Sequence, residues 1–541
     1  MKPAPSIPIC CVVLFMAFTC FFVLCGCQSN NARPREITTS VTDTMVQIAG
    51  QNPVYFDSAY LDSFLMTHPR LRHFEKPYRE FYKGRSYQYV WYNANGLAEA
   101  AYGLRAHLLN AVDRDSAELP YNALLDSLMH MADERVGARE NEPDPEAELL
   151  LTGMYFYYAE KLLTGVDESV SRKLGWMIPR RKISMPALLD SFLVAKNWDD
   201  FERNALNRQY FRLREELGKY RKLEMAGNEV VIPQIGGKPA ALKPGGNSGS
   251  VVMLRRRLVQ LGYAQNLADT NAFLPDMISA VMLARKVYGL KMDTIIDNAL
   301  IQELNVPADA REGQLLVNME RMRWIPALNE YDELILVNIP DFRLHYFEKG
   351  VPVWNCKVVV GTPVNKTVVF SGVMDYVVFS PYWYVPQSII RNEIGSARAR
   401  SPAYLRRKNM EWVGGQLRER PGPNNSLGLV KFIFPNSNSI YLHDTPAKAL
   451  FERDTRAFSH GCIRVEKPFD LAKRVLAYDS SWTDEKIRSA MKAGVEKKVV
   501  LQRKIPVYIG YFTAFADRDG LVHFRKDVYN RDGKLLEMLT H

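Results

Sequence analysis

Cysteine is scarce in this sequence beyond its first residues. The 541-residue sequence contains seven cysteines, and five of them fall within the first 27 positions. Only Cys356 and Cys462 remain in the rest of the chain. Two cysteines cannot build a disulfide framework or a Cys-rich metal module, so both classes of protein are excluded.

Long apolar runs are also scarce, and charge of either sign is not concentrated. A single apolar run, Ile9 to Leu24, excludes a polytopic membrane protein. Hydrophobic residues at 47% and charged residues at 24% exclude global disorder and collagen-like repeats. The net charge of +10 suits an anionic polymer as partner but identifies none, and without a concentrated basic stripe we expect no nucleic-acid binding.

The N-terminus predicts a targeting segment. Lys2 precedes the sixteen-residue apolar run, which suits a signal peptide and is short of the about 20 residues of a membrane span. The run ends in Leu24-Cys25-Gly26-Cys27, which resembles a bacterial lipobox. This resemblance implies a signal peptide over 1–27, a lipid on Cys27 and a polar tether over 28–50. The alternative is an uncleaved anchor, and both place the body of the protein outside the cytoplasm.

The rest of the chain predicts a multidomain α+β fold. Helical periodicity covers 51–228, where the clearest helix begins at Asp144-Pro145, stops at Gly165 and is apolar on nearly every face, so that we expect it to be buried. Six glycines and three prolines in 226–250 predict a linker over 229–250. A three-helix unit follows over 251–307.

From Glu333 the apolar period changes to two, which predicts a mostly antiparallel β domain over 330–505. The strand pattern lapses over about 387–425, and residues 391–420 there hold eight basic and three acidic residues, a local charge of +5. Residues 506–541 predict a β-like extension.

One stretch has the residues of a thiol enzyme. His443 precedes Ser459-His460-Gly461-Cys462 with fifteen residues between His443 and Ser459. A free thiol is only slightly ionised at neutral pH, so a histidine that takes its proton makes Cys462 reactive. A small residue before the nucleophile lets backbone N–H groups face a reacting carbonyl. Cys356 instead shares a strand face with apolar residues and is expected in the core.

The residues alone leave two alternatives open. His443, Asp444, His460 and Cys462 together form a conceivable metal site, although their spacing matches no standard zinc pattern. A disulfide between Cys356 and Cys462 would remove the free thiol.

The pattern of His443 and Ser459-His460-Gly461-Cys462, followed by Arg464, resembles the active-site signature of the L,D-transpeptidases, bacterial enzymes that cross-link peptidoglycan. The resemblance implies that Cys462 is the nucleophile and that His443 is the general base, oriented by a backbone carbonyl. It also implies further roles. The backbone at Gly461 forms the oxyanion hole, Ser459 and His460 orient the site, Arg464 faces a substrate carboxylate, and Tyr382, Trp383 and Tyr441 contact substrate.

The resemblance extends to the long, three-part branch of that family. It implies a helical scaffold domain, a peptidoglycan-binding-like module over 251–307, and a capping segment over 387–425 in the catalytic domain. The module departs from the family at Leu283-Ala284 and at 294–297, which leaves its glycan binding in question. The resemblance further implies a monomer that needs no cofactor, acts on peptidoglycan stem peptides and is acylated by carbapenems. An L,D-carboxypeptidase and a non-catalytic wall-binding lipoprotein are the alternatives.

The same expectations give the location. The protein is predicted to be a periplasmic lipoprotein. In a cell with two membranes, Ser29 after Gln28 favours the outer membrane, because the lipidated cysteine is not followed by an aspartate.

Overall fold

The computed structural model describes residues 54–93, 96–115, 121–134, 143–180, 183–194, 208–326 and 331–540. The predicted signal peptide, Cys27 and the tether over 28–50 lie outside these residues. Within them, no helix has the length and apolar character to cross a membrane.

The N-terminal part is helical. Its central helix, Pro145–Thr164, begins at Asp144, whose side chain accepts a hydrogen bond from the Glu146 N–H, and ends at Gly165 with a φ of 60°. Most of its residues are buried, as the sequence predicts. The other helices of this part are Ser58–Thr67, Glu75–Lys83, Glu99–Asp115, Asn122–Glu134, Glu168–Lys173, Met185–Val194 and Arg208–Ala226. Its short strands are β1 (Tyr92–Asn93), β2 (Gly96–Leu97) and β3 (Trp176–Met177).

The predicted linker over 229–250 is attached to the small helical unit that follows it. Asn305 bonds both backbone groups of Ile232, and Asn298 bonds both backbone groups of Ile235, at 2.8–3.1 Å. These amides satisfy an otherwise irregular backbone, so the segment packs on the module and is not a free connector. The module consists of helices Gly249–Gln260, Ile278–Val287 and Asn298–Leu304, with strands β4 (Ala241–Leu242) and β5 (Ile296–Asp297).

A helix over Ala308–Arg323 joins the parts of the molecule. It packs along helix Arg208–Ala226, and its Glu320 accepts the Val166 N–H at 2.7 Å. Arg321 forms an ion pair with Asp532 at 2.7 Å, close to the C-terminus. The scaffold and the C-terminal segment are therefore fixed to the same helix.

The C-terminal part is a mostly antiparallel sheet that closes on itself. Its strands are β6 (Glu333–Asn338), β7 (Arg343–Glu348), β8 (Val351–Gly361), β9 (Val369–Phe379), β13 (Val430–Ile433), β14 (Leu442–His443), β15 (Ala457–Ser459), β16 (Ile463–Val465) and β17 (Lys497–Gly510). The closed order is β13-β14-β16-β8-β7-β6-β17-β9, because β13 pairs with both β14 and β9. Helices Pro468–Val475 and Asp484–Lys492 lie between β16 and β17.

The predicted capping segment has a small core of its own, formed by Val385, Ile390, Ile394, Ala399 and Leu417. Its strands β10 (Trp383–Tyr384), β11 (Met410–Val413) and β12 (Gln416–Glu419) form a separate antiparallel sheet. Its helices are Gln387–Ile389, Ser396–Arg400 and Pro402–Arg407, with a π-helical turn at Ile390–Ile394.

The C-terminal extension over 506–541 differs from the β-like prediction in its last residues. The hairpin of β18 (Ala514–Ala516) and β19 (Val522–Phe524) is followed by a helix over Asp532–Thr540. This helix packs on helix Ala308–Arg323, a contact between distant parts of the chain that local periodicity does not reveal. The architecture confirms the predicted multidomain α+β fold, while the domain boundaries stay predictions.

Candidate active site

Two short parallel strands carry the candidate site. In β14 and β16, His443 lies opposite Arg464. The Ile463 N–H donates to the Tyr441 carbonyl at 3.1 Å, which brings Tyr441 alongside Cys462. Because alternate residues of a strand share a face, four side chains form a two-by-two array on one face of the sheet. The members of the array are Tyr441, His443, Cys462 and Arg464.

His443 is buried, and a backbone carbonyl determines which of its ring nitrogens carries a proton. The Nδ1 atom lies 2.5 Å from the Asp444 carbonyl oxygen. A carbonyl only accepts, so Nδ1 donates and Nε2 keeps its lone pair. Burial, and then the charges of Arg464 and Lys431, lower the pKa of His443 to about 3. The ring is therefore neutral at pH 7 and able to accept a proton at Nε2.

Cys462 is a partly buried free thiol. Burial raises its pKa, against hydrogen bonding from the backbone and side chain of Tyr441 and the positive charge of Arg464. The resting pair is thus a neutral thiol and a neutral imidazole, and reaction at Cys462 requires a base. Cys356 is also free, which excludes the disulfide alternative, and burial raises its pKa to about 12.

Two cations flank His443 on neighbouring strands. Lys431 of β13 and Arg464 of β16 both lie opposite it in register. The Nε atom of Arg464 is buried without a hydrogen-bond acceptor, and among the described residues no carboxylate forms an ion pair with this guanidinium. Burial lowers the pKa of both cations, which indicates charges kept in a poorly solvated site. An unpaired guanidinium here suits an anionic ligand.

The loop before Cys462 is held from two sides. Gly461 has a φ of 115°, a backbone conformation that favours glycine. Ser459 Oγ accepts the Gly461 N–H at 3.2 Å and donates to the Cys462 carbonyl at 2.5 Å. From outside the loop, Thr367 Oγ1 donates to the Gly461 carbonyl at 2.8 Å. The peptide that joins Gly461 to Cys462 is therefore fixed in orientation.

The geometry does not favour the metal alternative. The Asp444 carboxylate accepts from Lys448 at 2.5 Å and from the Leu429 N–H at 2.9 Å, and His460 pairs with Glu393. In the described parts of the chain, no group of three or more His, Cys, Asp or Glu residues is placed to hold a metal ion.

Comparison with known families matches two regions of the chain. Residues 332–507 match the family described as the L,D-transpeptidase catalytic domain. Residues 76–217 match a family described as the Scaffold domain. The chain carries an L,D-transpeptidase catalytic domain. The Scaffold domain precedes it, as the resemblance implies.

A curated relative is similar over part of the chain. A putative L,D-transpeptidase from Haemophilus influenzae is 29% identical over 243 residues, which cover 41% of this chain and 48% of that protein. The chain thus spans about half the length of the curated relative it matches.

Solved structures of L,D-transpeptidases are more distant. One from Mycobacterium smegmatis is 13% identical, covering 33% of this chain and 58% of that chain with a TM-score of 0.19. One from Stackebrandtia nassauensis is 13% identical, covering 53% of this chain and 98% of that chain with a TM-score of 0.20. These likenesses are too remote to carry an argument about the site.

In the L,D-transpeptidase domain, His460 connects the loop before Cys462 to the capping segment. Its Nε2 atom lies 2.6 Å from Glu393 Oε1, in the π-helical turn. Trp383 packs against the core of the capping segment, and the Arg418 guanidinium lies 4.0 Å from the centre of the Tyr382 ring. Contact of Tyr382 or Trp383 with substrate stays a prediction.

Sequence reasoning missed two residues of the site. Lys431 lies beside His443 only because β13 pairs with β14. Thr367 bonds the Gly461 carbonyl although the two residues are far apart in sequence. The one signal for Lys431 is a lone cation in an apolar strand, Val430 to Phe434. No local signal marks Thr367, because a buried threonine in a β domain is ordinary.

Proposed function

We propose that this protein is an L,D-transpeptidase that joins third residues of peptidoglycan stem peptides through a thioester on Cys462. The observation that carries the proposal is the array of Tyr441, His443, Cys462 and Arg464 on one sheet face. It combines a free thiol, a neutral base with a fixed tautomer, and an unpaired guanidinium. The family match over 332–507 supports the same reaction class.

In the acylation step, His443 Nε2 takes the proton of the Cys462 thiol. The sulfur attacks the carbonyl carbon after the third residue of a tetrapeptide stem, and the oxyanion is stabilised by the backbone N–H of Cys462, since the Gly461 N–H donates to Ser459 Oγ. The tetrahedral intermediate then breaks its C–N bond. The nitrogen of the terminal D-alanine takes the proton from His443 and leaves, and a thioester remains.

In the second step, an amine on the third residue of a neighbouring stem attacks the thioester carbonyl. His443 takes a proton from the attacking nitrogen and returns one to the departing sulfur, so the thiol is restored and an amide cross-link forms. Arg464 binds a stem carboxylate in both steps. Acylation of Cys462 by a carbapenem would follow the same first step.

The test is turnover of a disaccharide tetrapeptide, with products read by mass spectrometry. The native protein should form cross-linked dimers, and Cys462→Ala should form none. Cys356→Ala is the matched control, because it removes the other free thiol of the same sheet, and it should retain dimer formation. Tripeptide without dimer would identify water as the acceptor and the protein as an L,D-carboxypeptidase. No turnover by the native protein would favour a non-catalytic wall-binding lipoprotein.

We also propose that the protein is a periplasmic lipoprotein attached through Cys27, a monomer whose partners are peptidoglycan and the membrane. The lipobox-like sequence Leu24-Cys25-Gly26-Cys27 supports this. Cells expressing the full chain should incorporate labelled palmitate into the native protein and not into Cys27→Ala. Equal labelling of the two would contradict lipidation, and membrane fractionation of the native protein reports which membrane holds it.

A further inference from the structure

A segment outside the matched catalytic domain reaches the loop of the proposed nucleophile. Tyr529 lies beyond residue 507, where the family match ends, and it is almost completely buried. Its hydroxyl donates to the Gly361 carbonyl at 2.6 Å and accepts the Thr367 N–H at 3.2 Å. The C-terminal segment therefore holds both ends of the turn that joins β8 to β9.

Thr367 passes this contact on to the catalytic loop. Its Oγ1 atom accepts the Gly361 N–H at 2.9 Å and donates to the Gly461 carbonyl at 2.8 Å. The proton positions are fixed, because an N–H only donates and a carbonyl only accepts. The single hydroxyl proton of Thr367 must point to Gly461, and that of Tyr529 must point to Gly361.

The orientation of the Gly461 carbonyl determines where the next N–H points. In a planar trans peptide, the C=O of Gly461 and the N–H of Cys462 point in opposite directions. Thr367 fixes the carbonyl on one side of the peptide and so fixes the Cys462 N–H on the other. This N–H is a proposed donor to the oxyanion, and such donors act through preset orientation.

Tyr529 is itself held firmly. Its backbone N–H donates to the Tyr511 hydroxyl at 2.7 Å, and the two rings stack with centroids 5.6 Å apart. Lys366 Nζ donates to the Tyr529 carbonyl at 3.0 Å. The anchor is thus rigid enough to transmit position and is not a contact of a loose tail.

We infer that Tyr529 and Thr367 are positioning residues for the oxyanion hole, a role of the C-terminal segment that rests on the proposed acyl transfer. They touch neither substrate nor sulfur. They act by holding the Gly461–Cys462 peptide. Their loss should slow attack on a carbonyl without changing the reactivity of the thiol toward reagents that generate no oxyanion.

The experiment compares two reactions of Cys462 in the full chain. Acylation by the disaccharide tetrapeptide at saturating concentration needs the oxyanion hole, whereas alkylation by iodoacetamide needs only the thiolate. We expect Thr367→Val to slow acylation about tenfold or more and Tyr529→Phe about three- to tenfold, because each removes a hydroxyl that makes two hydrogen bonds. Alkylation rates should stay within about twofold, since a neutral hydrogen bond to the peptide barely changes the thiol.

Two controls separate positioning from folding. Thr367→Ser keeps the hydroxyl and should retain native acylation. Tyr78→Phe removes another buried tyrosine hydroxyl that donates to a backbone carbonyl, that of Leu149 at 2.7 Å, in the scaffold part. It should lower thermal stability without changing acylation. Equal losses in Tyr78→Phe and Tyr529→Phe, or parallel losses of acylation and alkylation, would overturn the inference.

The outcome for the proposed function is read separately. If the native protein fails to turn over the tetrapeptide, the proposed function fails. The same variants are then compared by the p-nitrophenolate burst from p-nitrophenyl acetate, corrected with Cys462→Ala. This ester also forms an oxyanion, so an unchanged burst in Thr367→Val and Tyr529→Phe overturns the inference and a slowed burst supports it.

Discussion

Two buried polar clusters of this molecule differ in how fully they are paired. In the scaffold part, the buried Glu148 carboxylate accepts from the backbone N–H groups of Val90 and Trp91 and from the Tyr82 hydroxyl, at 2.8–3.0 Å. In the L,D-transpeptidase domain, Arg464 is left with a buried nitrogen that has no acceptor. A saturated cluster stabilises a fold, and an unsaturated one leaves capacity for a ligand.

The largest effect is expected when the unsaturated cluster around Arg464 loses its proposed base, His443. His443→Gln should lower turnover about 10²- to 10⁴-fold, because Cys462 then keeps its proton. The matched control is His523→Gln, another buried histidine whose pKa is lowered by burial, which bonds Asp517 and the Lys286 carbonyl. It should cost stability and leave turnover per folded molecule unchanged, as measured by dimer formation and thermal melting.

A second difference should appear in substrate affinity. Arg464→Met should raise KM for the tetrapeptide about 10- to 100-fold, since no carboxylate of the described residues pairs with the guanidinium and we propose that it binds a substrate carboxylate. Arg474→Met is the control, because Arg474 lies over the rings of Tyr346 and Trp354 in the same domain. An equal rise in KM for both variants would show that the effect is general and not that of a carboxylate site.

The two clusters should give opposite pH dependences of stability. Burial raises the pKa of Glu148 from 4.5 to about 7. The native state therefore binds this proton more tightly than the unfolded chain does, and the resulting stabilisation is lost as pH rises through this range. The pKa of His443 is lowered from 6.5 to about 3. As pH falls through this range, the unfolded chain binds a proton at this histidine and the native state does not, so the native state loses stability. Melting curves at pH 5 and pH 8 should show Glu148→Gln more destabilised, relative to native, at pH 5.

His443→Asn should show the reverse, a gain in melting temperature relative to native that is greater at pH 5 than at pH 8. Glu148→Gln should cost about 1–3 kcal/mol in the free energy of unfolding, through lost hydrogen bonds. If the melting temperatures of both variants, relative to native, changed in the same direction between pH 5 and pH 8, the pKa shifts assigned to Glu148 and His443 would be contradicted.

The smallest effect is expected at the contact between the loop and the capping segment. Glu393→Gln removes the charge that pairs with His460, and because both side chains are about half exposed, turnover should change by about threefold or less. Glu411→Gln is the control inside the capping segment, where Glu411 pairs with Arg418 and Arg420. A larger effect for Glu411→Gln would locate the sensitivity in the segment's own fold.

The sequence was sufficient where the physics is local. The N-cap at Asp144, the stop at Gly165 and the strand that begins at Glu333 each depend on neighbours in the chain, and each is found as predicted. The residue types and the spacing of His443 and Cys462 likewise predicted a thiol and its base.

Contacts between residues that are distant in sequence could not be predicted. Closure of β13 onto β9, the cation of Lys431 beside His443 and the contact of Tyr529 with the turn after β8 depend on tertiary pairing. Local pattern therefore indicated which residues form the candidate site, but not which residues hold them in place.

Strand β3 has a consequence for handling the protein. Trp176 pairs with Val369 and Met177 with Phe370, so a strand from the scaffold part covers the start of β9. A fragment that began at residue 332 would expose this backbone edge and the ring of Phe512, against which Trp176 packs with ring centroids 5.7 Å apart. Such an edge pairs readily with other chains, so an isolated fragment of this kind should aggregate unless β3 is supplied in trans.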